Sequence, residues 1–530
     1  MPTDMPPRWG FSSFGMVGYN DVTPTELKNR SSADAPTAAL IPQQWGHGEP
    51  SGSPNDYGIV QIWPRLLKLG VSMMLFGTWS AGFPALSADL RVGAAAVNIT
   101  PPPGIGLAGY YFDRGAQGTN DDLFAKALVL EQDGVQAAFV ALDLISTTRP
   151  MVEASRREIE KTTVVRGDQV MISATHAHTG PVLAQRGARE ATQGGEADLS
   201  QRYSVGLPKL IAESVRLAAA RLQPARAFAA IGREERLSFN RRFFMRDGTV
   251  GWNPGKLNTN IVKAAGPIDP EVGVVYFESP RGKEVPQPIA SYVNFAMHPD
   301  TVGGQNFSAD YPGALSRRLA EYKGADMLTL FANGTCGNIN HIDVKWAEPQ
   351  KGPQEAARIA TVLAAAVLQA YKEIQPLKPG PLRVSSEIVK LPLPEIKPGD
   401  VERARSIVER YGMKDNSAFM EKVEAFKILD VAARDGKPQE VEVQVIAFGN
   451  DVAWVGLPGE IFVELGLALK QASPFRYTMI AELANGAIGY IPNRPAYAQG
   501  NYEPVSARCA AGSGELLVET AVKLLKELKR

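Results

Sequence analysis

Apolar residues fall across positions 90–530 in short runs that alternate with stretches of helical period, as they do in chains that mix strands and helices. Residues 137–143, Ala-Ala-Phe-Val-Ala-Leu-Asp, form an apolar run closed by an acid and predict a buried strand. An amphipathic helix is expected over 151–162 and a second strand over 169–174. The same device recurs: residues 289–296 run into His298, 327–332 into Asn333-Gly-Thr-Cys-Gly337, and 452–456 into Leu457-Pro-Gly-Glu460, with a helix expected over 461–470. Polar groups gathered at strand ends are where α/β folds place their sites. The expectation is an α/β fold, one large domain over 89–530 with a mixed β-sheet core and surrounding helices.

Residues 1–60 are rich in Pro, Ser, Gly, Asp and Asn and show no sustained apolar period, which predicts a disordered leader or a misassigned start. Residues 61–88 read as a signal peptide. Arg65 and Lys68 precede an apolar run at 69–80, and Ala85-Leu-Ser-Ala88 supplies small residues for cleavage, although the segment begins late. Gly, Ser, Thr and Pro interrupt that run, which falls short of the roughly 20 residues of a membrane span. Export is expected, to the periplasm or beyond the cell. Further along, 377–381 and 398–400 flank a charged helical stretch from 401 to about 434 that reads as an inserted excursion. A final helix is expected from about Gly514, and no short repeat is visible.

Composition narrows the function. Fifty-six basic residues balance 56 acidic ones and form no run longer than short pairs such as Arg241-Arg242 and Arg317-Arg318, so nothing offers the positive field that a nucleic acid requires. With two cysteines, Cys336 and Cys509, the chain builds neither a disulfide scaffold nor a cysteine zinc finger, though one disulfide is allowed. Histidine is scarce: of five, His176, His178, His298 and His341 fall inside motifs and His47 lies in the leader.

Ser173-Ala-Thr-His176-Ala-His178-Thr-Gly-Pro181 follows an expected strand. Residues i and i+2 of a strand point to opposite faces, so both imidazoles reach one metal only if the chain bends, and Gly180-Pro181 is the expected bend. A buried hydrogen-bonded pair fits the spacing equally well. His298, delivered by a strand and followed by Pro299, offers a further imidazole, and zinc takes imidazole nitrogen readily. Glu460 offers a carboxylate, or else a first-turn acid favoured by a helix dipole.

In order and wording these segments resemble the catalytic domain of the neutral, non-lysosomal ceramidases. The likeness runs from Val92-Gly-Ala-Ala-Ala-Val-Asn-Ile-Thr-Pro101 and Gly109-Tyr110 through Ala174-Thr-His-Ala-His-Thr-Gly-Pro181, Asn240-Arg241, His298, Ser308-Ala-Asp310 and Pro458-Gly-Glu460 to Asn485-Gly-Ala-Ile-Gly-Tyr490. The resemblance implies a zinc ion held by His176, His298, Glu460 and Tyr490, with Tyr497 and Tyr502 the neighbours that compete for the tyrosine's place. It implies amide hydrolysis by metal-activated water, with His178 delivering a proton or orienting the ligands. The substrate it implies is a lipid-like or other small N-acyl amide, which leaves room for association with a membrane surface. Arg241 is a candidate fork for an anionic group and Asp310 a candidate partner for a ligating histidine.

The resemblance breaks at Cys336-Gly-Asn-Ile-Asn340-His341, where the family carries Gly-Asp-Val-Ser-Pro and Asn340 stands in the serine's place. An amide donates to an oxyanion but is no nucleophile. The family's C-terminal sandwich domain is also expected to be absent. Three other readings follow: an esterase or lactonase on the same centre, a noncatalytic zinc-stabilised binding protein, and a thiol hydrolase using Cys336 with His341.

Overall fold

The computed structural model describes residues 90–184, 187–191, 197–280 and 286–530; the expected leader and signal peptide lie outside them. Three sheets of one design carry this part of the chain. In the first, β1 (Arg91–Asn98), β2 (Phe124–Gln132) and β3 (Val135–Leu142) run antiparallel, and helix α1 (Arg149–Thr162) crosses over to β4 (Val170–Ala174), parallel to β3. Helix α2 (Ala197–Ala220) follows. The second repeats this order with β5 (Arg226–Arg233), β6 (Glu271–Ser279), β7 (Gln287–Phe295), α3 (Asp310–Lys323), β8 (Leu328–Asn333) and α4 (Pro353–Tyr371). In the third, β9 (Leu382–Leu391) is followed by α5 (Asp400–Tyr411) and α6 (Phe419–Ala432), the excursion foreseen in the sequence. The sheet then completes with β10 (Gln439–Phe448), β11 (Val452–Gly456), α7 (Val463–Ala472) and β12 (Tyr477–Ala481), and α8 (Ser513–Lys529) closes the chain.

Apolar residues on both faces explain the layers. Phe139 and Met171 of the first sheet, Phe277 and Tyr292 of the second, and Trp454 and Met479 of the third pack into one central core. The opposite face of each sheet is covered by its own helices: Val152 and Ile211 on the first, Leu315 and Leu363 on the second, Leu469 and Leu524 on the third. A sheet buried on both faces reads as a continuous apolar run, which is why these strands were legible. The helix expected over 461–470 starts instead at Val463, because Glu460–Ile461 pairs in parallel with Tyr490–Ile491. Glu460 is thus a strand residue, not a first-turn acid.

Each sheet ends in one parallel pair, and the polar residues follow the C-terminal ends of those strands. His176 leaves β4, His298 leaves β7, and Glu460 leaves β11.

Candidate metal centre

The bend that brings the two histidines together lies at His176 itself, whose φ is +76°, and not at Gly180-Pro181. A non-glycine residue there costs about 1–3 kcal/mol, so the surroundings must impose it. They do so twice: the His176 amide donates to the Leu144 carbonyl at 2.9 Å, and Nδ1 lies 2.7 Å from the Ile145 carbonyl oxygen. A carbonyl only accepts, which assigns the proton to Nδ1 and leaves the lone pair on Nε2. His298 is set the same way, with Nδ1 at 2.9 and 3.0 Å from the carbonyls of Cys336 and Ile339. Burial, reinforced by the nearby Arg241 charge, pushes its pKa down to about 3, so it is a neutral imidazole.

Those two lone pairs face a carboxylate. Glu460 Oε2 lies 3.4 Å from His176 Nε2 and 3.4 Å from His298 Nε2, and His178 Nε2 lies 3.2 Å from His176 Nε2. Ligands about 2.0–2.1 Å from a tetrahedral zinc sit about 3.3 Å apart, so these separations suit a single small ion. Among the described residues, His298 Nε2 and Glu460 Oε2 are buried without a hydrogen-bond partner, as atoms awaiting a cation are. The donor nitrogens of His176, His178 and His298 lie within 4.8 Å of one another, a group that can hold a metal ion.

His178 stands nearest the solvent side. Burial first, then the two neighbouring imidazoles, keep its pKa well below the usual value. Its Nδ1 lies 3.6 Å from Asp300 Oδ1, and Asp300 also accepts from the Tyr110 hydroxyl. The neighbouring turn needs glycine: at Gly109, with φ of +105°, an added Cβ would sit 2.9 Å from that same Nδ1. Asp300, and not the expected Asp310, is the carboxylate that lies beside one of the clustered histidines. The Asp310 carboxylate instead accepts from the amides of Thr301, Val302 and Tyr311 at 2.9, 2.7 and 2.6 Å, shaping the loop after His298 and not bonding to His176 or His298. His298-Pro299-Asp300 was readable as a carboxylate two residues from a ligand, but alternation gave no reason to turn it toward His178.

Tyr490 lies beside Glu460 through the strand pairing, with its ring nearly parallel to His298 at 6.4 Å. Burial raises its phenol well above the usual value, against the opposing pull of Arg241. Of its competitors, Tyr497 donates to the Cys509 carbonyl, while Tyr502 packs edge-on against Tyr490. Arg241 is no open fork for substrate. It is buried, donates to Glu503 at 2.9 Å and to the Gly337 carbonyl at 2.7 Å, and lies over the Tyr490 ring. Asn340 has both ends of its amide committed locally, donating to Asn253 and accepting from the Ile342 amide, each at 3.0 Å.

Cys336 sits behind His298, not in front of it. Its thiol lies 3.1 Å from His298 Nδ1 and donates to Glu482 at 2.9 Å, and burial raises its pKa well above normal. His341 lies against the Gln350 carbonyl, so the two make no nucleophile pair. Both cysteines are buried and free, and the allowed disulfide does not form.

Above the centre opens a cavity of about 590 Å³, within the usual range for a small-molecule site. His176, His178, Glu460 and Tyr490 line its floor, and Tyr111, Arg189, Leu429, Arg434, Tyr502 and Arg508 its walls. The expected 401–434 excursion therefore shapes the entrance, through the end of α6.

No protein-family model matches the chain, and no curated protein matches it in sequence. Solved structures do. A neutral ceramidase from Pseudomonas aeruginosa superposes with a TM-score of 0.63 at 20% identity, over 83% of this chain and 75% of that one. A ceramidase complexed with C2 superposes with a TM-score of 0.64 at 20% identity, over 83% and 76% of the two chains. At this identity the likeness is one of architecture, and the chain has the fold of the neutral ceramidases.

Proposed function

We propose that this protein is a zinc-dependent hydrolase that cleaves an amide bond of an N-acyl substrate. The observation that carries the reading is the set of unpartnered, buried lone pairs on His298 and Glu460, converging with His176 at the floor of a cavity open to small molecules. His176, His298 and Glu460 would hold the ion, with Tyr490 as the fourth donor and Arg241 positioning its phenol. Zinc bound there supplies a Lewis acid and acidifies water to a pKa near 7.

The chain's own groups do the rest. Backbone carbonyls fix the tautomers of His176 and His298, so neither ring must reorient. His178 lines the cavity, with Nδ1 toward Asp300, and is the group placed to carry a proton to the leaving amine. Tyr110, edge-on to that ring, and Asp300 flank it. The alternative of a noncatalytic zinc protein is disfavoured by the cavity itself, since structural zinc is normally enclosed by four ligands, often cysteines. Export rests on the charged, apolar and small-residue order of 61–88.

The test separates holding from acting. His298→Ala is expected to lose both metal and turnover of N-acyl amides, whereas His178→Ala keeps the metal and loses turnover. Metal-loaded wild type that cleaves matched esters but no amide would move the reading to an esterase, and cleavage of neither would overturn it.

A further inference from the structure

The outer wall of the cavity carries charge that bond cleavage does not call for. Among the described residues, Arg189, Arg434 and Arg508 line it, against one carboxylate outside the centre, Asp430. Asp430 is already committed. Its Oδ1 accepts from the Ala188 amide at 2.7 Å and its Oδ2 from Arg508 Nε at 2.7 Å, which staples α6 to the 187–191 segment and to the loop before α8. Arg508 is thus largely neutralised by its partner.

Arg434 is different. It lies just past the C-terminal end of α6, partly exposed, and its Nε and Nη2 donate to the carbonyls of Lys437 and Pro438 at 3.0 and 2.6 Å. Carbonyls orient a guanidinium without cancelling its charge, and no carboxylate lies within ion-pair distance of it among the described residues. Nη1 makes no hydrogen bond there. Arg189, which also lines the cavity, lies 4.8 Å from the Tyr111 ring centroid in a cation–π contact. A fixed guanidinium at a cavity mouth is built for a planar anion, which it grips through paired N–H donors.

We propose that this wall recognises a carboxylate, so that the substrate is an N-acyl amino acid or similar anionic amide and not an uncharged lipid amide. The proposal takes the scissile bond from the hydrolase reading, but the anion site stands apart from it. The floor receives the amide carbonyl, and the wall that Arg434 and Arg189 line, with Arg434 as its anchor, receives the carboxylate.

The test compares two matched substrates, an N-acylglycine and the N-acylethanolamine of equal chain length, on the metal-loaded protein. The acylglycine is expected to be cleaved with the higher kcat/KM. Arg434→Gln should lower that value at least about ten-fold, mostly through KM, and leave the ethanolamide within about two-fold. Arg434→Lys should recover part of the loss, and Arg189→Gln should repeat it more weakly. Equal turnover of both substrates with no effect of either arginine variant would overturn the anion site while leaving the hydrolase intact. Should the protein cleave neither, calorimetric binding of the acylglycine decides the matter: affinity lost in Arg434→Gln supports the site, and equal affinity for both compounds refutes it.

Discussion

Removing Glu482 should loosen the centre from behind. Its carboxyl is fully buried; Oε2 accepts from the amides of Cys336 and Ile461 at 3.1 and 2.9 Å, and Oε1 accepts from the Cys336 thiol at 2.9 Å. Cys336 supplies a carbonyl that holds His298, and Ile461 is the residue after Glu460, so one side chain ties two ligand-bearing loops. Glu482→Ala strands two buried amides, each worth about 1–3 kcal/mol, and opens a small void, for a total near 4 kcal/mol. Burial raises the Glu482 carboxyl well above its usual range, which favours the neutral acid that glutamine mimics. Glu482→Gln keeps an oxygen for both amides and turns its amide nitrogen to the Cys336 sulfur, so its cost should stay below about 1 kcal/mol. Urea unfolding of the metal-free protein measures the first effect, and chelator competition should show metal affinity falling about 10–100-fold in the alanine variant alone. An alanine variant within about 1 kcal/mol of wild type, with metal affinity unchanged, would refute the tie.

Further outcomes follow from the same contacts. Asp300→Ala should lower turnover about 10–100-fold while metal content is retained, because it positions His178 and does not ligate; metal analysis beside steady-state kinetics checks this. Glu442 is buried against Arg156 and Arg149, and these outweigh the burial that would raise its carboxyl, so its folded pKa lies below the ordinary 4.5. A depressed carboxylate contributes fully above its unfolded value and loses that contribution as pH falls through the folded one, so stability should decline in acid below about 4.5. Glu442→Gln should cost about 3 kcal/mol at neutral pH and flatten that decline, as unfolding followed against pH would show. Neither cysteine should react with a thiol reagent until the protein unfolds, since both are buried and burial raises both thiols; rapid labelling of the native protein would contradict this.

The strands carrying the site were legible because their faces are both buried and each run ends in a polar residue. Val452–Gly456 and its Leu-Pro-Gly-Glu460 turn are the clearest case. Geometry that depends on one residue's backbone was not legible: nothing in His-x-His announces that His176 adopts a positive φ, and the glycine and proline downstream drew attention to the wrong place. The expectation falls on Asp310 and not on Asp300 for a related reason. Both are acids close to His298 in sequence, and the structure alone shows that one caps backbone amides while the other reaches His178. Arg241 and Asn340 sit in motifs, but their side-chain partners, Glu503 and Asn253, are distant in sequence and so could not be read from it. The threefold recurrence of three antiparallel strands and a crossover is a matter of strand order, which sequence period does not encode.

The metal content of purified protein, measured by mass spectrometry for wild type and His298→Ala prepared side by side, tests the centre itself. One zinc per chain is expected in the wild type, with its loss in the variant. Wild-type protein without metal after zinc loading, or a variant that retains the full complement, would contradict the centre.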